Sequence, residues 1–380
     1  MRFAGTLILA GAALAAPQEP RVAVVELGRE LFLAPALSVD GKVSCATCHD
    51  PARAFADGKA DATGVMGVPV GRNSPTLYGL GTVRRFRDPD QAAHAGPGRA
   101  PKTLTLEQRV MGPISNELEM GASEEDAIRR LAAEPGRAAA FDRAFGGSGG
   151  VSKERVARAL AAFVASAAPP ETPYGAFLEG RREALRPEER RGLEVFRGAG
   201  RCDRCHSGPG LTDGLMHVAD PPDGPRMRGR ATAAARRRLD LLRRRLEATA
   251  PEELLRLSAA DLAREAEEKA RKLPGGGGYD AEQLEVQTPT LWSATETAPW
   301  FRDGSADDLK LALAAHVREL RLVNEREADV AATLSALDAK GKRAPPALRP
   351  KGARATRTPE ALSPQALDDL FAFLGSLSPR

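Results

Sequence analysis

Every cysteine of this 380-residue chain falls in one of two C-x-x-C-H runs. The first is Cys45-Ala46-Thr47-Cys48-His49, and the second is Cys202-Asp203-Arg204-Cys205-His206. Two thiols three positions apart on a helical turn can each form a thioether with a vinyl group of one porphyrin. The adjacent histidine then lies under the iron and offers an imidazole nitrogen. The pattern reads as c-type haem attachment. The rival readings are a redox disulfide, which has no need of the histidine, and half of a zinc site, which needs four compatible ligands. Two copies that use all the cysteines favour two covalent haems.

The surroundings of the two motifs repeat. Gly28-Arg29-Glu30-Leu31-Phe32 precedes the first and Gly192-Leu193-Glu194-Val195-Phe196 the second. Asp57-Gly58 follows the first, and Asp213-Gly214 follows the second. Ser74-Pro75-Thr76-Leu77 is echoed by Thr288-Pro289-Thr290-Leu291. The alanine-rich run from Ser152 to Ala168 predicts a helix with Val156, Leu160, Phe163 and Val164 on one side. Pro169 and Pro170 end it, and Pro187 opens another helix with Glu188 and Glu189 in its first turn. Strand signal is scarce. The expected fold is all-α: two tandem cytochrome c-like haem domains with long loops, residues 17–170 and 171–380.

Composition agrees with a globular chain. Hydrophobic residues are 42%, charged residues 28% and the net charge is +4, too balanced to point to a partner. Aromatic residues are only 4%, as if porphyrin supplied flat apolar surface in their place. Arg2, the apolar run Leu7 to Leu14 and Ala13-Leu14-Ala15 read as a cleaved signal peptide over residues 1–16, hence a periplasmic protein without a stable membrane span.

Together these residues resemble the bacterial di-haem cytochrome c peroxidases, including their MauG-like branch. The resemblance is carried by Leu27 to Phe32, Leu37 to Gly41, Ser44 to Gly58, Gly71 to Leu77, Thr105 to Gly121, Cys202 to Gly214 and Thr288 to Gly304. It implies a peroxide-reacting N-terminal haem, an electron-relaying C-terminal haem and a calcium ion between them. It also implies hydrogen peroxide as substrate and an electron-donor protein, either a small cytochrome c or an oxidisable protein substrate. By the same resemblance Glu119 is the catalytic carboxylate that moves a proton between the peroxide oxygens. Asn73, Thr297 and Pro299 match the calcium-binding positions, where oxygen ligands are required.

The sequence departs from the family's pattern at several places. Val65 stands where some members carry a distal histidine, so the first iron is expected to be open. His94, in an extra loop from Asp88 to Pro101, is the candidate substitute ligand. Counting forward from Pro299-Trp300-Phe301-Arg302-Asp303-Gly304, the second haem's sixth-ligand position holds His316, and imidazole in place of thioether should lower the potential. Arg87 occupies the slot of the inter-haem tryptophan, with Trp292 or Trp300 as substitutes or core aromatics. Arg109 aligns with the active-site glutamine, with Gln108 one position off. A charged helical insertion at 223–285 includes nine arginines between Arg226 and Arg245. It reads as a solvated hairpin or as a docking surface for an acidic protein, not for nucleic acid. The rival function is a non-catalytic di-haem electron carrier with both irons six-coordinate.

Overall fold

The structure is a computed structural model. It describes residues 22–87, 103–218, 285–302, 304, 306–310, 312–314, 316, 317 and 362–380. The signal segment, His94 and all but the edge of the insertion lie outside the described residues.

Two crossed helix pairs organise the chain, and each is built around a glycine. Helix α1 (Val22–Leu33) buries Val24, Leu27, Leu31 and Phe32, a single face at three- and four-residue spacing. The short turn α2 (Cys45–Cys48) carries the first motif. Helices α3 (Leu106–Ser115), α4 (Glu124–Ala132) and α5 (Arg137–Phe145) follow, then α6 (Lys153–Ser166). The Ser152 hydroxyl caps α6 by accepting from Arg155 N, and the predicted helix over 152–168 is present. At the α1–α6 crossing a Cβ on Gly28 would lie 2.0 Å from the Ala159 carbonyl oxygen. Phe32 and Phe163 pack beside it with ring centres 5.0 Å apart.

The second pair repeats the device. After α7 (Pro173–Leu178), helix α8 (Pro187–Arg197) starts at its proline, as predicted, and crosses α9 (Pro364–Gly375). A Cβ on Gly192 would lie 1.9 Å from the Asp369 carbonyl oxygen, and Phe196 meets Phe373 at 5.1 Å. Arg191 adds a forked pair to the Asp369 carboxylate at 3.0 and 2.8 Å. Glu189, expected only to favour the helix dipole, is buried, and accepts from Arg186 N and from Arg380. Each pair has its own apolar core, one around Leu31, Leu37, Val156 and Leu160, the other around Leu185, Leu193, Phe196 and Phe373.

The described chain is rich in helix, but two short antiparallel ladders depart from the all-α expectation. Strand β1 (Phe86–Arg87) pairs with β2 (Thr103–Leu104), and β3 (Met216–Val218) pairs with β4 (Glu285–Gln287). The first ladder flanks the extra loop read from the sequence as Asp88 to Pro101, and the second flanks the insertion read as 223–285, whose last residue, Glu285, opens β4. Two or three paired residues suffice for that, and such short strands carry little alternation to detect. Among the described residues no helix is long and apolar enough to cross a membrane.

The two glycine crossings generate a prediction. Gly28→Ala and Gly192→Ala should each force the helices apart and lower stability by roughly 1–3 kcal/mol. Thermal unfolding followed by circular dichroism measures it, and an unchanged midpoint would refute the close crossing.

Candidate functional site

The first motif sits on a capped turn. Ser44 and Thr47 form a reciprocal capping box around α2, and His49 closes it by donating its backbone N–H to the Cys45 carbonyl. The thiols of Cys45 and Cys48 are not in disulfides, nor are those of Cys202 and Cys205. Burial pushes the Cys45 thiol up to about 12, with the Cys48 and Glu119 charges adding to it. Cys48 rises to about 11 by burial and the charges of Asp57 and Glu119. Both therefore remain S–H groups available for thioether formation.

The imidazole of His49 is oriented by two carbonyls. Its Nδ1 lies 3.1 Å from the Phe55 oxygen and 3.0 Å from the Pro75 oxygen. A carbonyl only accepts, so Nδ1 carries the proton and Nε2 keeps the free lone pair of a metal ligand. Burial lowers the pKa of His49, which keeps the ring neutral. His206 repeats the arrangement, with Nδ1 3.2 Å from the Leu211 oxygen and 3.1 Å from the Pro289 oxygen. Its pKa is pushed down to about 4, by burial first and by His316 second. Phe55 (φ 59°) and Leu211 (φ 49°) both adopt left-handed backbone, a costly conformation for these residues that turns their carbonyls onto the ring. The sequence echo thus has a physical content: Pro75 and Pro289 are matching acceptors for two matching histidines.

The opposite faces differ. The ring of His316 lies 6.2 Å from the ring of His206, centre to centre. An ion held between two imidazoles by bonds of about 2 Å places ring centres about 6 Å apart. The described residues between 309 and 317 are helical, so one turn carries this histidine towards the second motif. Near the first motif stand Val65 and Glu119. Val65 is buried and donates its N–H to the Glu119 carbonyl at 2.8 Å. Glu119 acts electrostatically on Cys45, Cys48 and His49. Its carboxylate is met by the Arg72 guanidinium, a partner that sequence reading missed. The loop carrying Glu119 is pinned to the end of α3 by Met120 N to Pro113 O and Ala122 N to Ile114 O. Gly64 must be glycine there, since a Cβ would lie 1.7 Å from the Leu118 carbonyl oxygen. A cavity of about 500 Å³ opens between Thr47 on the motif turn and the 63–67 loop.

Buried polar atoms agree with a prosthetic group at each motif. Asp57 Oδ2 and Arg201 Nη1 are buried without a hydrogen-bond partner, one following the first motif and one immediately preceding the second. Such groups are rare unless something else satisfies them. Asp213, the counterpart of Asp57, instead bonds His217 Nε2 at 2.7 Å, and both lie beside Cys205. His217 is raised to about 9, mainly through Cys205 and then Asp213. A thioether at Cys205 would leave the Asp213 contribution alone.

The remaining candidates divide. Asn73 Nδ2 lies 2.6 Å from the Pro299 oxygen, and Asn73 N donates to the Arg302 oxygen, so two of the three calcium candidates meet. Thr297 stands two residues before Pro299 on the same segment. Gln108 is spent on capping α3 with Thr105, while Arg109 reaches the Gln287 side chain at 3.2 Å. Trp300 donates to the Ala294 oxygen, and Trp292 lies in the second core. Arg87 lies in β1.

Residues 22–183 match the family profile described as di-haem cytochrome c peroxidase. Methylamine utilization protein MauG of Methylorubrum extorquens is 35% identical over 193 residues, 51% of this chain and 52% of that protein. Cytochrome c551 peroxidase of Pseudomonas aeruginosa is 33% identical over 187 residues, 49% of this chain and 51% of that protein. The matched part of the chain spans about half the length of these curated relatives. Among solved structures, the di-haem peroxidase BthA of Burkholderia thailandensis has a TM-score of 0.56 at 24% identity, over 96% of this chain and 88% of that one. A MauG-like protein associated with microbial copper homeostasis also gives 0.56, at 21% identity, over 96% and 95%. These last two likenesses show a shared fold along nearly the whole chain. Residues 22–183, with their C-x-x-C-H turn, doubly held imidazole and Glu119 loop, are thus similar to the di-haem cytochrome c peroxidase family.

Proposed function

We propose that the chain is a di-haem c-type oxidoreductase that reduces hydrogen peroxide at the His49 centre and draws electrons from a partner protein through the His206 centre. One observation carries the reading: two identically held imidazoles face different neighbours, a second histidine in one case and an apolar and acidic loop in the other. The corresponding units are residues 17–170 and 171–380, each a glycine-crossed helix pair closing on its own motif. Haem iron, when bound, supplies the redox chemistry.

The chain's own groups supply binding and proton handling. Cys45 and Cys48 anchor one haem covalently, and Cys202 and Cys205 anchor the other. His49 and His206 present neutral Nε2 atoms. Val65 has no atom that can ligate iron, so the first centre is left for peroxide. Reducing hydrogen peroxide to two waters consumes two electrons and two protons. The Glu119 carboxylate takes a proton from the inner peroxide oxygen and delivers it to the outer one. Arg72 holds that carboxylate in place by an ion pair. His206 and His316 would together hold the second haem, and a centre held by two imidazoles would serve electron transfer rather than peroxide chemistry. Calcium fits between the units at Asn73, Thr297 and Pro299. An amide's oxygen and nitrogen exchange places by rotation, so Asn73 can offer oxygen beside the Pro299 carbonyl.

Four outcomes test the proposal. Resting oxidised protein should give an EPR spectrum with one high-spin and one low-spin ferric component; two low-spin haems indifferent to peroxide would establish the electron carrier instead. His316→Ala should convert the low-spin component to high spin, and an unchanged spectrum removes His316 as ligand. Glu119→Gln should leave the resting spectrum intact yet slow the reaction with peroxide by roughly 10²–10⁴-fold, read by stopped-flow absorbance. Chelation of calcium should lower the melting temperature and its return should restore it, whereas Asn73→Ala should abolish that response.

A further inference from the structure

Beside the second motif lies a group of side chains that peroxide reduction leaves without a task. Cys205, Asp213 and His217 bring one sulfur, oxygen or nitrogen atom each within 4.8 Å of one another. His217 Nε2 lies 2.7 Å from Asp213 Oδ2, and the same imidazole bonds the Cys205 side chain. A carboxylate only accepts, so the Nε2 proton points to Asp213 and a neutral ring keeps its lone pair on Nδ1. A thiol, a base beside it and a carboxylate that orients the base form the arrangement that activates a nucleophile.

The local fold fixes this trio. Asp213 is held at both oxygens, Oδ1 by Leu215 N at 2.9 Å and Oδ2 by His217. Thr212, next to it, is buried and donates its hydroxyl to the Thr288 carbonyl at 2.7 Å. Gly214, at φ 69°, passes so close to the first half that a Cβ would lie 2.8 Å from the Arg85 carbonyl oxygen. His217 is the middle residue of β3, paired with Val286 of β4. An exposed ion pair would account for Asp213 and His217, but not for the thiol that joins them. The first motif is built differently. Asp57 is the counterpart of Asp213, and four residues later Asp61 stands where the second half has His217. Asp61 accepts from Gly71 N at 2.6 Å, and the matching thiol, Cys48, donates to the Thr63 carbonyl at 3.8 Å. Cys202 likewise donates to the Gly200 carbonyl, at 3.5 Å. A carbonyl can orient a thiol but is too weak a base to take its proton.

We propose that His217, oriented by Asp213, is the acid–base group that drives thioether formation between Cys205 and the second haem. The claim rests on haem attachment at the second motif and not on peroxide reduction. The imidazole takes the thiol proton as sulfur bonds to one carbon of a haem vinyl group. The vinyl π bond breaks, and its other carbon takes the proton back from the imidazole. S–H and C=C become S–C and C–H, with no electron gained or lost overall. The thiol is consumed, so the trio acts once per molecule and leaves His217 paired with Asp213. All three groups lie between residues 205 and 217, so a short loop brings them together at little entropic cost, before distant segments dock.

The test follows haem attachment in the full chain. Wild type, His217→Ala, His217→Gln and Asp213→Asn are expressed with haem-attachment machinery and sampled from early times after induction. Each sample is denatured, alkylated with iodoacetamide and digested, and the haem peptides are weighed. The wild type should carry both thioethers at each motif. In His217→Ala the second haem should hang from Cys202 alone, with Cys205 alkylated, at least about ten times more often at early times. The first-motif peptide should be unchanged. The reduced pyridine complex should absorb at longer wavelength, because one vinyl group stays conjugated with the ring. His217→Gln keeps a hydrogen-bonding side chain but carries no proton, and should behave as His217→Ala does; Asp213→Asn should fall between. Cys205 attached as fast in His217→Ala as in the wild type overturns the proposal. So does wild-type attachment in His217→Gln, or loss of haem from both motifs, since either makes His217 a packing residue. A wild type without porphyrin at the second motif removes the haem reading and this inference with it. A wild type with both haems that ignores peroxide removes the peroxide reading alone.

Discussion

A buried imidazole that is to ligate iron must have one nitrogen protonated and satisfied and the other left bare. Leaving its N–H without an acceptor would cost about 1–3 kcal/mol, and the wrong tautomer would present a proton to the metal. Here the constraint is met twice by the same means, two backbone carbonyls converging on Nδ1. Much of the architecture follows from it. The first acceptor, six or five residues beyond the histidine, requires left-handed backbone at Phe55 or Leu211. The second must come from a distant segment, which ties the 72–79 loop to the first motif and the 288–292 loop to the second. Those loops take part in the contact between the two halves, where Gly79 approaches Trp292 and Asn73 meets Pro299 a little further along the chain.

The helix pairs serve this arrangement from outside. A motif turn of four residues such as α2 cannot hold its own position. Its neighbours α1 and α6 cross over Gly28 closely enough for Phe32 and Phe163 to pack against Phe55, the residue whose carbonyl orients His49. In the second half Gly192 lets α8 approach α9, and Phe373 reaches Tyr174, which in turn meets Trp292. Packing and metal-ligand orientation therefore share the same aromatic residues. That economy suits a chain in which only 4% of residues are aromatic.

Much of this was legible in the sequence, for reasons that are physical. C-x-x-C-H is a local pattern whose chemistry depends on spacing within one turn, so it survives without any knowledge of the fold. The echoes at Gly28 and Gly192, and at Pro75 and Pro289, mark positions where only one residue type or one carbonyl register fits. His316 came from counting along the resemblance, and the structure sets its ring 6.2 Å from that of His206. Arg72 escaped notice because its partner Glu119 lies 47 positions away and arginines are abundant in this chain. His217 escaped because nothing in its spacing from Asp213 is special until the turn after the motif folds them together. The ladders escaped because strands of two or three residues leave no periodic signal.

The asymmetry between the halves decides what chemistry the symmetry can do. Two equal, fully ligated centres could only pass electrons along. Two equal, accessible centres would each meet peroxide with no reserve behind them. The loop from Gly64 to Val68 is held against Leu118 and Glu119 by backbone contacts that tolerate no Cβ at Gly64, so Val65 is set beside the Glu119 backbone. His316 arrives from the helical segment at 309–317. On the proposed reading, a single duplicated scaffold would gain a division of labour from changes on one face. The face that orients the imidazoles is kept, because altering it would cost the metal ligand itself. The opposite face is free to diverge, and it is there that this chain places its acid, its apolar wall and its second histidine.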